Sequence, residues 1–299
     1  MNARRQVILT GAQGFIGRAL TRRLEERGYS VVPLRSRTSG PQGMNIATGW
    51  IDREALEGAH AVINLAGAPI STRWTKRRKQ AITASRVDGT QLLASTLAGL
   101  SHKPAIFLSM SGISRYGIHR EGFLDEDSPV CEAGFLGKLS AEWEKATAPA
   151  QAAGIRTTVL RCGVVLAASG GALKLMLPAF RLGLGGRMSN GQQKLSWIRL
   201  GDLVELMIWC LENPSCPPVI NATAPGVVSQ GEFAHALARQ LHRPCLFPTP
   251  AWVIRLIFGQ MGVETVLSDL HVEPLAAVKA GFKFATPTLE SALPLALGE

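Results

Sequence analysis

Tyrosine is the scarcest useful residue in this 299-residue chain: only Tyr29 and Tyr116 occur, and aromatic residues make up 6% of the sequence. Chemistry that needs a phenol must use one of those two positions. Cysteine is sparse as well. Cys131, Cys162, Cys210, Cys216 and Cys245 are odd in number, scattered, and form no Cys-x-x-Cys pair, which argues against a disulfide framework and for a reducing, cytoplasmic setting. His119, His235, His242 and His271 lack metal-ligand spacing, so no metal is expected. With no Gly-x-Ser-x-Gly elbow and no carboxylate pair, nothing suggests hydrolysis. No apolar run reaches transmembrane length, and the stretch after Arg4 and Arg5 has no cleavage pattern; neither a membrane span nor a secretory leader is expected.

What the chain has in excess is positive charge, +10 overall, and it is unevenly placed. Residues 1–103 hold 16 Lys and Arg against 6 Asp and Glu, whereas residues 104–299 hold 16 of each. A polyanionic ligand in the first third fits this asymmetry. The densest run, Lys76, Arg77, Arg78 and Lys79, opens a helix and has only Trp74 as an aromatic neighbour, so it reads as a solvated face and no specific nucleic-acid partner is expected.

Residues 7–17 supply the ligand. An apolar run, Val7-Ile8-Leu9, leads into Gly11, Gly14 and Gly17 at three-residue spacing, and helical periodicity follows until Gly28. A strand, a glycine turn and a helix N-terminus in this order let backbone N–H groups approach a dinucleotide pyrophosphate, with Phe15 and Ile16 opening the helix.

Apolar runs at 7–10, 30–35, 59–66, 105–111 and 156–161 alternate with helical patterns, the longest at 74–100 and another at 135–154. This predicts an α/β fold, a Rossmann-type doubly wound parallel sheet, with a smaller, mostly helical C-terminal substrate lobe. The expected division is a dinucleotide domain over 1–165, to which 195–215 returns as a strand and helix, with 166–194 and 216–299 forming the lobe. A helix is expected at 173–182, and Ser229 to Glu232 reads as a capping box for the helix after it.

NAD-binding units place an acid about 20 residues beyond the glycines, on the adenosine ribose. Here the second strand ends Arg35-Ser36-Arg37, and the next carboxylate is Asp52. Two guanidiniums and a hydroxyl suit a 2′-phosphate, so the expected cofactor is NADP(H). The run Asn64-Leu65-Ala66-Gly67 ends its strand in small residues, where the other half of the cofactor would lie.

In this order the residues resemble the extended short-chain dehydrogenase/reductase superfamily. More narrowly, Val62 to Gly67, Arg73-Trp74-Thr75, Ser85-Arg86-Val87, Ser111 with Tyr116-Gly117, Ser196-Trp197-Ile198 and Asn221 to Pro225 are similar to its atypical "epimerase family" branch. Arg243-Pro244, Gly281 to Phe284 and Pro287 to Glu290 are similar to that branch's C-terminal domain of unknown function. The resemblance implies an NADP-binding fold and oxidoreductase or epimerase ancestry. It also implies a helical Tyr-x-x-x-Lys pair, but the matching positions hold Leu136 and Ser140. Ser111 then matches the superfamily's active-site serine, and Lys138 is the candidate substitute acid. Arg73, Trp74, Arg86 and Tyr116 are the candidate groups for a small polar substrate, with a nucleotide-linked one as the narrower case. Where the branch usually has His, this chain has Arg199, and where it has Asp, this chain has His60 and Gly201. The rival reading is an NADPH-binding sensor with weak catalysis.

Overall fold

The computed structural model describes residues 5–36 and 38–299. Alternating inward and outward apolar residues build the first strand, β1 (Gln6–Thr10): Val7 and Leu9 enter one core, and Ile8 the core on the opposite face. Its neighbours in chain order are β2 (Ser30–Ser36), β3 (Gly43–Asn45), β4 (Trp50–Ile51), β5 (Ala61–Asn64) and β6 (Ile106–Gly112). Then come β7 (His119–Leu124), β8 (Arg156–Cys162), β9 (Val164–Leu166), β10 (Lys194–Leu195), β11 (Trp197–Arg199), β12 (Val219–Ala222), β13 (Val228–Ser229) and β14 (Asp269–Val272). Eight of them form the main sheet in the order β12-β8-β6-β5-β1-β2-β3-β4, parallel throughout except for the edge pair β3 and β4. The order reverses direction at β1 and β5, which opens a crevice beyond their C-terminal ends.

Helices cover both faces, as a parallel sheet requires. On one side, α1 (Phe15–Glu26) lies against a later helix, Leu200–Glu212, with Leu20, Leu24, Leu203 and Met207 fully buried. The other side carries α2 (Lys76–Thr83) and α3 (Gly89–Ala98), joined by a single π turn at Ala84–Asp88, then α4 (Gly134–Lys145) and α5 (Ala148–Ala152). The helical patterns at 74–100 and 135–154 are thus each interrupted. A separate core forms where α6 (Gly171–Arg181), α8 (Gln230–Gln240) and α11 (Leu289–Gly298) enclose Trp197 with Leu173, Phe180, Phe233 and Leu293. The capping box at Ser229 and Glu232 is present.

Two boundaries differ from the sequence reading. Residues 195–215 return to the main sheet through their helix alone, since β11 pairs with β9 in a separate two-stranded sheet. Conversely β12, placed by sequence in the lobe, is the outermost strand of the main sheet, because Val219 to Ala222 pair in parallel with Val159 to Cys162. Its short length and nearby prolines hid the β signal.

At the start of α7 (Leu200–Glu212), Arg199 bonds Thr286 Oγ1 at 3.0 Å, pairs with Glu299, and lies 3.6 Å from Asp202. The guanidinium folds over Gly201, where a Cβ would overlap it. Positions 199 and 201 are therefore one arrangement. Asp202 accepts the backbone N–H groups of Ala285 and Thr286 at 3.0 Å each, tying α7 to the C-terminal segment.

Candidate functional site

The glycine turn follows β1 directly. Gly11 has φ +70°, a conformation that disfavours side chains, and a Cβ there would stand 2.8 Å from the Leu65 carbonyl group. A Cβ at Gly17 would overlap the Gly11 carbonyl oxygen, so α1 can only seat this closely on the turn with glycine in its first turn. The N-cap is Gly14, exposed and without a side-chain cap, and no acid occupies the first turn of α1. The result is an open cradle of backbone N–H groups with no negative charge at its mouth, which fits a pyrophosphate. Phe15 turns its ring onto Gly170 at the start of the lobe, and both Phe15 and Ile16 are half-buried against the core.

At the tip of β2, Arg35 and Ser36 are exposed. Arg37 lies outside the described residues. Asn64 is buried and spent: its Oδ1 accepts from Thr10 Oγ1 at 2.6 Å and its Nδ2 donates to Thr90 Oγ1 at 2.8 Å. Thr10 Oγ1 in turn accepts the Leu65 and Ala66 N–H groups at 3.1 Å each. Asn64 therefore shapes the β5 tip from behind, while the backbone of Leu65 and Ala66 faces the glycine turn and Gly67 faces Arg86.

One strand further, Ser111 sits in register with Arg161, and Arg161 with Asn221, so β6, β8 and β12 present these side chains in one row on one face. Glu144 of α4 reaches down to this row. Ser111 Oγ donates to its Oε1 at 2.9 Å, and Arg161 grips the carboxylate bidentately, Nε to Oε1 and Nη2 to Oε2, both at 2.9 Å. Arg115 adds a second cation 3.6 Å from Oε2. With its proton committed to Glu144, buried Ser111 keeps only its lone pairs for a further partner. Paired charges this well hydrogen-bonded offset their desolvation.

Several candidates are placed differently from expectation. Tyr116 has no exposed surface: its hydroxyl accepts from Arg161 Nη1 and donates to Asn221 Oδ1, both at 2.9 Å, and burial raises its pKa. It is a strut under the site, because the short 3-10 turn at Ile113–Tyr116 points it into the sheet row. Trp74 is also buried, its indole N–H bonded to Ile70 O at 2.9 Å and its ring edge-on to Phe135; the apolar residues of α4 draw it into a core. Arg73 is exposed and bonds Leu256 O at 3.4 Å in α9 (Ala251–Phe258). Lys138 is exposed, on the side of α4 away from buried Leu136 and Ser140. Its helical phase turns it away from Ser111. Arg86 alone of the expected substrate groups lies beside the strand tips, its Nη1 bonded to Ala68 O at 2.9 Å.

Glu144, Arg161 and Thr90 escaped the sequence reading, and Asn221 entered it only within the Asn221 to Pro225 motif, with no role assigned. A signal for the first two was present: a carboxylate in the apolar helix after Trp143, and an arginine closing an apolar strand, both of which must find partners when buried.

Residues 7–222 match the family model described as the NAD dependent epimerase/dehydratase family, and residues 249–294 match a Domain of unknown function (DUF1731). The "Epimerase family protein SDR39U1 homolog, chloroplastic" of Arabidopsis thaliana is 36% identical over 298 residues, covering 96% of this chain and 85% of that protein. A crystal structure of the human epimerase family protein SDR39U1 (isoform2) with NADPH superimposes with a TM-score of 0.89 at 31% identity, covering 98% of this chain and 99% of that one. A nucleoside-diphosphate sugar epimerase from Corynebacterium glutamicum gives 0.80 at 27% identity, covering 99% of this chain and 59% of that one.

Proposed function

Since the chain belongs to the NAD dependent epimerase/dehydratase family, we propose that it binds NADP(H) across the tips of β1, β2 and β5 and acts as an oxidoreductase or epimerase-like enzyme on a small polar substrate. A nucleotide-linked substrate is the narrower form of this reading, supported by the likeness to a nucleoside-diphosphate sugar epimerase. The observation that carries it is Ser111 Oγ, fixed 2.9 Å from Glu144 at the strand tip next to the dinucleotide crevice.

NADP(H), when bound, supplies or takes up hydride at a carbonyl or carbinol carbon. The chain's own residues do the rest. Gly11, Gly14 and Gly17 leave the α1 amides free for the diphosphate, and Arg35 with Ser36 faces the side where a 2′-phosphate would lie. Ser111, already donating to Glu144, accepts a hydrogen bond from a substrate hydroxyl and so orients the carbon that bears it. Arg161 holds Glu144 in place through two bonds of 2.9 Å, so that the Ser111 proton stays directed at the carboxylate and away from the substrate.

A second reading, an NADPH-binding sensor, is favoured by Leu136 and Ser140, both buried, at the positions where the superfamily's Tyr and Lys would stand. Neither can transfer a proton from a phenol.

One experiment separates the two. NADPH and NADH affinities are measured by titration, and NADPH oxidation is then followed against a panel of carbonyl compounds and nucleotide sugars. We expect NADPH to be preferred, and Arg35→Ala to shrink that preference about tenfold, as the loss of one charge-assisted bond implies. Turnover that falls about a hundredfold in Ser111→Ala supports the enzyme. Tight NADPH binding with no turnover on any panel member supports the sensor, and equal affinity for NADH overturns the role of Arg35.

A further inference from the structure

The helix that follows the β5 loop is broken by its single π turn at Ala84–Asp88, a feature frequent at functional sites. Here it carries two side chains that hold the loop. Ser85 Oγ accepts the Ala68 N–H at 2.9 Å while Arg86 Nη1 donates to the Ala68 carbonyl at 2.9 Å, so both backbone groups of one loop residue are held. The Arg86 guanidinium lies 5.2 Å from the Trp143 ring centroid, and that ring is fixed in turn by an indole bond to Thr90 Oγ1 at 2.9 Å. Gly67 leaves room for it: a Cβ there would stand 2.9 Å from the guanidinium carbon.

A second guanidinium converges on the same loop. Arg78 Nη2 donates to Pro69 O at 2.6 Å, and Arg78 Nε is buried without a hydrogen-bond partner. Among the described residues, neither arginine has a carboxylate within 4.0 Å. Burial, and after it the charge of Arg78, lower the Arg86 pKa to about 10. Two like charges drawn to adjacent carbonyls with no counter-ion are costly, and an arriving oxyanion would relieve both.

We propose that Arg86, supported by Arg78, is an anion-binding site at the β5 tip that takes a phosphate or carboxylate oxygen of the bound ligand. The planar fork suits such a group, and Trp143 holds it in one orientation. The site stands between the glycine turn, which touches the β5 tip at Leu65, and Ser111 on the neighbouring strand. The oxyanion therefore comes from one of two sources, the diphosphate of the cofactor or an acidic group on the substrate. The first source rests on the dinucleotide reading; the site itself does not.

Calorimetric titration of wild type and Arg86→Met with NADPH, and of their NADPH-loaded forms with inorganic phosphate and oxalate, tests this. If the cofactor's diphosphate is held, Arg86→Met raises the NADPH Kd tenfold or more and leaves the preference over NADH unchanged. Where the substrate's anion is held, NADPH binding is unchanged and the loaded variant loses phosphate and oxalate binding by a similar factor. A wild type that binds phosphate and oxalate but not NADPH, with that binding lost in Arg86→Met, overturns the dinucleotide reading and keeps the site. Arg86→Met that binds all three probes as wild type does, or a wild type that binds none, overturns the site. Should Arg86→Met fail to fold, Arg86→Lys and Arg78→Gln carry the same comparison.

Discussion

A side chain at Gly17 has no free volume, since its first carbon would overlap the Gly11 carbonyl oxygen. Gly17→Val must push α1 off the turn, and the amides that would face a diphosphate move with it. The expected result is a folded protein, destabilised by about 1–3 kcal/mol as overpacked sites usually are, whose NADPH affinity falls by at least tenfold in a fluorescence titration. Unchanged affinity would remove the turn from the binding surface. This residue was legible from sequence because its whole meaning is local: three glycines, a strand before, a helix after. Ser111 was legible as a position but not as a state. Its orientation depends on Glu144, and Glu144 on Arg161, residues far apart in sequence that only the register of β6 and β8 brings together. Tyr116 failed for the same reason: a loop tyrosine reads as available until the sheet row beneath it supplies Arg161 and Asn221.

At the level of elements, α4 carries Glu144, Trp143 and the substituted Leu136 and Ser140, so its placement decides the geometry of the site. Its first turn is anchored from outside. Glu264, buried in the π turn Gly262–Val266, accepts the N–H groups of Phe135 at 2.9 Å and Leu136 at 2.8 Å, supplying from far along the chain a carboxylate for a helix N-terminus that has no acid of its own. Gly134, at φ +71°, leaves the space: a Cβ there would come within 2.6 Å of the carboxylate carbon. Gly134→Ala should therefore lower stability by more than about 1 kcal/mol, through positive φ and the displaced cap together. Glu264→Gln, which keeps the shape and loses the charge, should cost less than Gly134→Ala. Thermal melts of both variants check the order; the reverse order would mean that Glu264 acts mainly by charge. No pattern around residue 134 announces this anchor, because its partner is more than a hundred residues away.

Across the whole molecule, the sheet that sequence alternation predicted is present, and its unforeseen members are short edge strands whose pairing depends on their neighbours. Stability should also respond to acid in a definite direction. His60, half-buried ahead of β5 and beside Tyr29, has its pKa lowered by burial first and then by the charges of Arg5 and Arg156. In the unfolded chain the ring takes up a proton at the ordinary value of 6.5, earlier than it does when folded. Its contribution is therefore present above that value and is lost as pH falls from there through the folded value. Urea midpoints should decline on acidification from about pH 7 to about pH 5, with a shallower slope in His60→Gln. An equal slope would place the acid sensitivity elsewhere.

The guanidinium folded across Gly201 makes one helix position answerable for a distant segment: any side chain added at 201 has to move Arg199, and with it the hold on Thr286 and Glu299. What reads as a spare glycine in the first turn of α7 is thus the seat on which the C-terminal segment is fastened.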